Sequence, residues 1–112
     1  MGEREKRLAR NETLYREVNE RVSEVAEKLL DTQLEMPVSF ICECGAGDCT
    51  EPILATLAEY QAIRAEPTRF LVVPGHELPE IESVVERRPA YFVVEKREEE
   101  AEEVARETDP RA

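Results

Sequence analysis

The pattern of apolar and polar positions predicts a long helix at the start of the chain. Between Arg4 and about Gln33 there is no glycine or proline, and a mainly apolar set of side chains recurs at alternating steps of three and four residues. This period is typical of an amphipathic helix. The predicted seam consists of Leu8, Asn11, Tyr15, Val18, Val22, Val25, Leu29 and Thr32. The helix should end at Met36-Pro37, because proline disfavours the α region for the residue before it.

The length of this helix bears on what it contacts. A helix of about 30 residues is about 45 Å long, more than the diameter of a small domain. Two interpretations stay open: the seam pairs with another chain as a coiled coil, or the helix packs on the protein's own sheet. In a coiled coil, Asn11 would be a polar residue that fixes the register. We expect a homodimer or a protein partner to bind through this helix.

Short apolar runs in the middle of the chain predict a small sheet of about three to four strands. Val38 to Ile41 form the first strand, and Phe70 to Val73 form the second, which we expect to be central because it is fully apolar. Tyr91 to Glu95 form a further strand that is rich in aromatic and β-branched residues. Residues 79–86 fit a helix or a strand, and an extended segment 83–86 would form a hairpin with the last strand.

Two shorter helices are predicted around this sheet. Thr56 and Glu59 have the spacing of a capping box, so a helix should begin there and bury Leu57, Tyr60 and Ile63. Pro52 and Thr56 are expected to bracket its start, and Glu66-Pro67 its end. The acidic segment after residue 96 is helix-prone through about Glu107, but its only apolar contacts are Ala101, Val104 and Ala105. We expect a solvated, fraying helix there.

These elements predict an α+β fold in three parts. Residues 1–36 form a long amphipathic or coiled-coil helix, residues 37–96 a small α+β metal-binding domain, and residues 97–112 an acidic helical or frayed tail. The chain has 112 residues, which suits one domain with a modest core. A structural metal would help such a small core to stay folded.

Charge and hydropathy exclude several classes of partner. The 26 carboxylates and 15 basic residues give a net charge of −11, which repels a nucleic-acid backbone. No apolar run approaches 18 residues, so we expect no membrane span. The charged start, MGEREKRLAR, lacks the apolar core of a signal peptide. We therefore expect a protein of the reducing cytoplasm.

The candidate chemistry is concentrated in the segment FICECGAGDCTEP, which starts at Phe40. It holds all three cysteines, Cys42, Cys44 and Cys49, around a turn built by Gly45, Gly47 and Asp48. Thiolates and imidazoles are the preferred ligands of zinc. The single histidine, His76, follows another predicted strand. If the two strands are neighbours that run the same way, both loops meet at one end of the sheet, and these four residues bind one zinc ion per chain.

Alternatives to this site stay open at the level of sequence. The C-x-C-x4-C spacing is tighter than that of paired zinc knuckles, so a disulfide, three inert buried thiols, or an iron-sulfur or redox cluster also fit. An odd number of cysteines without a secretion signal argues against a disulfide framework. His76 could be a solvated loop residue. Glu43, Asp48, Glu51 or a group from a second subunit could then be the fourth ligand.

Two resemblances extend this interpretation. The run CECGAGDC resembles the post-SET zinc loop of histone-lysine methyltransferases, in which three thiolates are supplied by the same spacing. This implies metal binding but not methyl transfer, because no catalytic SET domain accompanies it. Most of the chain is similar to short uncharacterised actinobacterial proteins, through the pieces RNETLYREVNERV, FICECGAGDCTEPILATLAEYQAIRAEPTRFLVVPGHE and YFVVEK. That resemblance implies a stand-alone cytoplasmic protein.

The sequence favours a non-enzymatic protein. It contains no nucleophile elbow, phosphate loop or dinucleotide fingerprint, and no second histidine remains for general-base catalysis. The leading hypothesis is a regulatory or protein-interaction module with a structural zinc site. The first alternative is a sensor in which oxidation of the thiols releases zinc. The second is a metal-dependent enzyme with Glu77 or Glu43 as its proton carrier.

Overall fold

The computed structural model describes residues 2–30, 35–46, 49–97 and 99–111. The elements, in chain order, are α1 (Glu3–Leu30), β1 (Pro37–Ile41), β2 (Pro52–Thr56), α2 (Leu57–Arg64), β3 (Arg69–Val72), β4 (Glu82–Arg87), β5 (Phe92–Lys96) and α3 (Glu99–Glu107). The predicted α+β class, with a long first helix and a short middle helix, is confirmed. Thr32 and Gln33 at the predicted end of the first helix, and Gly47 and Asp48 in the cysteine loop, lie outside the described residues.

The strands form two antiparallel sheets. β1 pairs with β2, and the three-stranded sheet has the order β3-β5-β4. β2 lies directly before the middle helix, at residues where no strand was predicted. Buried and exposed side chains alternate along β2: Ile53 and Ala55 are buried, while Pro52 and Leu54 are exposed. Proline is tolerated at the first residue of a strand, which is its place in β2.

β3 lies at an edge of its sheet, so the prediction that it is central was wrong. The central strand is β5, which pairs with both neighbours. The free edge of β3 is covered by the cysteine loop, because the Glu43 amide donates to the Leu71 carbonyl at 2.7 Å. The Glu43 carboxylate returns a hydrogen bond by accepting from the Leu71 amide at 2.9 Å. This cover is consistent with the apolar residues Phe70 to Val72 in an edge strand.

The ambiguous segment before the last strand is extended. β4 pairs antiparallel with β5, and the ladder shifts register between Val84 and Glu86. The hairpin that was predicted as one alternative is therefore present. The bulge places Val85 on the exposed side of the strand.

The middle helix α2 begins at the predicted capping box. The Thr56 hydroxyl accepts from the Glu59 amide at 3.1 Å, and the Glu59 carboxylate accepts from the Thr56 amide at 2.8 Å. Leu57, Tyr60 and Ile63 are buried as predicted. The Tyr60 ring stacks on Phe40 of β1, with 4.3 Å between ring centroids. The cap thus fixes the face that α2 presents to the core.

The first helix, α1, packs against the rest of the chain through a polar face. Arg16, Asn19 and Ser23 are buried, whereas Val18 and Val25 of the predicted seam are exposed. Arg16 and Asn19 donate to backbone carbonyls of other parts of the chain, which compensates their removal from water. The Ser23 hydroxyl has no hydrogen-bond partner among the described residues. Among the described residues, no helix is long and apolar enough to cross a membrane.

The C-terminal helix α3 is docked on the core, so the expectation of a solvated, fraying helix was wrong. Ala101 and Ala105 are buried. The Arg16 guanidinium donates to the Ala105 carbonyl at 2.7 Å, and Arg64 pairs with Asp109 just beyond the helix. Two buried arginines require such acceptors, because an unpaired buried charge is strongly destabilising. They anchor the tail although its apolar face is small.

Candidate metal centre

The end of β1 delivers the first cysteine into the core. The Cys42 amide donates to the Glu51 carbonyl at 3.0 Å, which extends the β1-β2 pairing by one step beyond the strand. Further along the loop, Gly45 has a φ of +82°, and the Cys49 amide donates to the Ala46 carbonyl at 3.1 Å. A left-handed residue of this kind reverses the chain sharply. The reversal brings the third cysteine back towards the first.

The loop after β3 delivers the histidine. The His76 amide donates to the Val73 carbonyl at 2.9 Å, which closes a tight turn through Pro74 and Gly75. Gly75 has a φ of +96°, a conformation that side chains with a Cβ rarely adopt. The turn is the one predicted from the sequence, but β1 and β3 belong to different sheets. The expected route, through two neighbouring strands of one sheet, was therefore wrong.

The structure brings together all four predicted ligands. One possible ligand atom from each of Cys42, Cys44, Cys49 and His76 lies within 4.8 Å of the other three. The His76 Nδ1 atom lies 3.5 Å from the Cys42 sulfur and 3.6 Å from the Cys49 sulfur. In a tetrahedral zinc site, bonds of about 2.3 Å to sulfur and about 2.05 Å to nitrogen give a sulfur-to-nitrogen distance of about 3.6 Å. The four residues can therefore hold a metal ion.

Two neighbouring groups contact the cluster, one at the Cys42 sulfur and one at the outer nitrogen of the imidazole. The Val73 amide donates to the Cys42 sulfur at 3.2 Å. On the far side of the imidazole, Nε2 lies 3.7 Å from a Glu51 carboxylate oxygen. A carboxylate behind a histidine favours a proton on the outer nitrogen, which leaves the inner nitrogen free to bind a metal. Nδ1 is thus the ligand atom that the geometry assigns to His76.

The three thiols are close enough to change one another's acidity. A hydrogen bond with Cys42 lowers the pKa of Cys44 to about 5, and the same contact raises the pKa of Cys42. Burial raises the pKa of Cys49. All three are free thiols, and all three are buried. Cys44 is therefore the most acidic of the three thiols, and a bound cation would displace the thiol protons of the cluster.

Glu43 is a buried acid between two cysteines whose role the sequence did not reveal. Its carboxylate accepts from the Asn19 amide group at 2.8 Å, the Tyr60 hydroxyl at 2.9 Å and the Leu71 backbone amide at 2.9 Å. Burial raises its pKa, while these three hydrogen bonds oppose the rise. The alternation of side chains in an extended chain could have indicated that Glu43 faces away from Cys42. It joins α1, α2 and β3 behind the cluster.

Side chains of the helix α1 hold the cysteine loop by donating hydrogen bonds to backbone carbonyls of the loop. Asn11 donates to the Gly45 carbonyl at 2.7 Å, and the Tyr15 hydroxyl donates to the Ala46 carbonyl at 2.8 Å. Asn19 bonds to both backbone groups of Ile41, at 2.8 and 2.9 Å. These polar residues satisfy a loop that has few backbone partners of its own. The polar side chains in the helical pattern are thus supports of the candidate site.

Neither of the two carboxylates considered as proton carriers belongs to the ligand cluster. Glu43 is used by its three donors, and Glu77 accepts from the Gly75 amide at 2.8 Å. Glu51 lies on the outer side of the imidazole. Asp48, considered as a fourth ligand, lies outside the described residues. Within the described part of the chain, His76 is the residue that completes the three-thiol set.

Comparisons of the chain with protein-family models, with curated proteins and with solved structures found no match.

Proposed function

We propose that this protein binds one zinc ion per chain through Cys42, Cys44, Cys49 and His76, and that the ion has a structural role. The observation that carries the proposal is the spacing of the ligand atoms. The Nδ1-to-sulfur distances of 3.5 and 3.6 Å already match the edges of a zinc tetrahedron.

The donor set favours zinc over other metals. Three thiolates and an imidazole in a tetrahedron are typical of structural zinc, whereas magnesium and calcium take oxygen ligands. A cluster of several irons would hold its ligand atoms farther apart, because different ligands bind different iron atoms. All four ligand atoms lie within 4.8 Å of one another, which suits a single ion.

The position of the site supports a structural role. The three cysteines belong to the main hydrophobic cluster, which also contains Phe40 of β1 and Leu71 of β3. A metal there links the end of β1 to the loop after β3, and hence one sheet to the other. With four protein ligands, no position stays open for a substrate or a reactive water. We therefore propose a non-enzymatic cytoplasmic protein that acts as a regulatory or interaction module.

Metal content after purification under reducing conditions tests this proposal. The protein should contain about one zinc per chain, and His76→Ala should lower the affinity for zinc by at least about tenfold. Glu77→Ala is a matched control, because Glu77 follows His76 but bonds only to the loop backbone within the described contacts. An equal loss of zinc in both variants would point to a disturbed loop. Zinc-free protein from cells supplied with zinc would reject the site.

A second candidate function is a thiol sensor, and the unequal burial of the ligands favours it. Cys42 is fully buried, whereas Cys49 and the partly exposed His76 form the outer edge of the cluster. In this function a peroxide takes two electrons from two thiolates, which form a disulfide. The peroxide, with two protons, becomes water, and Zn²⁺ is released. Zinc release under mild peroxide should then be fast and reversed by a thiol reductant. A site inert to peroxide would exclude this function.

A further inference from the structure

An apolar stripe runs along the outer surface of α1, on the side away from its buried polar face. Its four members are between 42% and 79% exposed, and they are Leu14, Val18, Val25 and Leu29. Successive residues of an α-helix are rotated by about 100°, so these four lie within about 60° of one another. The stripe differs from the seam predicted from the sequence, in which Tyr15 and Val22 would have taken part. Both of those are partly buried.

The order of the stripe reads the same in both directions along the helix. Its steps are four, seven and four residues. We propose that a second copy of this chain packs antiparallel against the stripe. Leu14 then lies opposite Leu29 of the second copy, and Val18 lies opposite Val25. A two-fold axis near the middle of the stripe produces both contacts twice, as an isologous interface requires.

The charges beside the stripe fit the same arrangement. Glu17, Arg21, Glu24 and Lys28 are exposed on one flank of it. In an antiparallel pair of helices, this flank faces the same flank of the partner. Glu17 then lies near Lys28 of the second copy, and Arg21 lies near Glu24. Two acids and two bases leave this flank neutral in a chain of net charge −11, so it is a favourable place for self-association.

A parallel pair fits less well. In a parallel coiled coil, each flank of the stripe meets the opposite flank of the partner. The opposite flank of α1 carries Tyr15, which bonds to the Ala46 carbonyl, and Val22, which packs against the core. Tyr15 and Val22 carry no charge, so in a parallel pair the charges of the first flank would face no opposite charges there. The antiparallel arrangement pairs these charges with one another.

The size of the stripe predicts the strength of the dimer. From Leu14 to Leu29 the helix rises about 22 Å, and its diameter is about 10 Å. The contact therefore covers a few hundred Å² of each chain, less than the roughly 800 Å² typical of stable complexes. We expect a weak dimer that forms reversibly in the upper micromolar range.

Sedimentation equilibrium from micromolar to millimolar concentration tests the proposal. The protein should dimerise, and Val25→Glu should abolish the dimer by placing a charge at its centre. Leu54→Glu is the matched control, because Leu54 is an apolar residue of β2 that is 62% exposed. It should leave the dimer unchanged. Both variants should keep the far-ultraviolet circular dichroism spectrum, because both changes are at exposed positions.

A charge exchange tests the antiparallel arrangement. Lys28→Glu places like charges together twice in the dimer and should weaken it about tenfold. Adding Glu17→Lys should restore the original affinity, because the pair is rebuilt with reversed signs. The two residues are too far apart along one helix to pair within a chain. A protein that stays monomeric at millimolar concentration, a dimer that survives Val25→Glu, or a double variant without rescue would each overturn the proposal.

The dimer and the zinc site can fail separately. The stripe contains no proposed ligand, and metal content is measured on the same samples. Loss of dimer with zinc retained concerns the stripe alone. Loss of zinc with the dimer retained concerns the site alone.

Discussion

The imidazole Nδ1 atom of His76 lies 3.5 Å from the sulfur of Cys42. The two residues come from different sheets, since one follows β1 and the other follows β3. A metal that binds both connects the two sheets directly. Behind this connection, the buried Glu43 joins the same two regions by hydrogen bonds to Leu71 and Tyr60. The fold thus has one proposed metal link and one carboxylate link at the same place.

The stability of the fold should depend on the proposed zinc ion. Chelation of zinc should lower the melting temperature markedly, because binding free energy at a structural site contributes to folding free energy. Cys42→Ser should lose zinc and be destabilised by several kcal/mol, about the range for loss of a structural metal or a buried ligand. Calorimetry with and without chelator measures both effects. An unchanged melting temperature after complete zinc removal would show that the ion is not structural.

Removal of the Glu43 carboxylate should destabilise the fold without removing the metal. Glu43→Ala leaves the Tyr60 hydroxyl, the Asn19 amide group and the Leu71 amide without their acceptor. Unsatisfied buried donors cost about 1–3 kcal/mol each, so we expect destabilisation of at least about 3 kcal/mol. Zinc-saturated protein should still bind one ion per chain, since Glu43 is outside the ligand set. Urea denaturation and metal analysis provide the two readouts. Loss of zinc from folded Glu43→Ala protein would show that the two links are not independent.

Two glycines have similar backbone conformations but different surroundings. Gly45 and Gly75 have φ values of +82° and +96°, so alanine strains the backbone at both. Only at Gly45 would the new Cβ collide, 2.7 Å from the Leu8 carbonyl oxygen and 2.8 Å from Glu12 Cγ. At Gly75 nothing lies within 4 Å. Gly75→Ala should cost about 1–2 kcal/mol, and Gly45→Ala clearly more. Equal destabilisation in urea would mean that the contact with α1 is unimportant.

Glu12, a buried acid of α1, should make the free energy of unfolding depend on pH. Burial raises the pKa of Glu12 from 4.5 to about 7, with Lys96 of β5 opposing the rise and Glu82 of β4 and Glu43 adding to it. The folded protein therefore binds a proton that the unfolded chain has released. This contribution to stability is complete below pH 4.5 and is lost as pH rises to about 7, at up to about 1.4 kcal/mol per pH unit.

Glu12→Gln isolates this effect from other titrations. The free energy of unfolding of the parent should fall relative to that of the variant between pH 4.5 and 7, the interval set by the two pKa values. Above that interval the difference should be constant. Both proteins are kept zinc-saturated, so that protonation of the ligands affects them equally. Parallel curves across the interval would mean that Glu12 is ionised throughout.

The local signals in the sequence predicted a large part of the fold and the four residues that the structure brings into one cluster. The capping box of Thr56 and Glu59 defined α2, because a cap depends only on neighbouring residues. The strand at Tyr91 and the turn at Gly75 followed from composition in the same way. The four candidate ligands were the cysteines and the single histidine of the chain. The chain contains no other cysteine or histidine that could have been chosen, and the structure brings all four together.

Features that depend on distant contacts were not predictable in this way. Arg16 and Arg64 anchor α3, but nothing local connects them to Ala105 or Asp109. The cysteine loop covers the edge of β3 beside its apolar residues Phe70 to Val72, and a sequence pattern cannot distinguish such cover from a neighbouring strand. The helical period of α1 indicated two faces. It did not indicate that the polar face is buried, since the acceptors of Arg16 and Asn19 belong to residues far away in the sequence.

Zinc K-edge X-ray absorption on the purified protein tests the central claim most directly. The account predicts one metal environment with three sulfur atoms at about 2.3 Å and one nitrogen at about 2.0 Å. In His76→Ala the nitrogen of an imidazole should disappear from the spectrum while the three sulfur atoms remain. An environment of oxygen and nitrogen alone, or a metal scatterer at short distance, would contradict a single zinc ion held by Cys42, Cys44, Cys49 and His76.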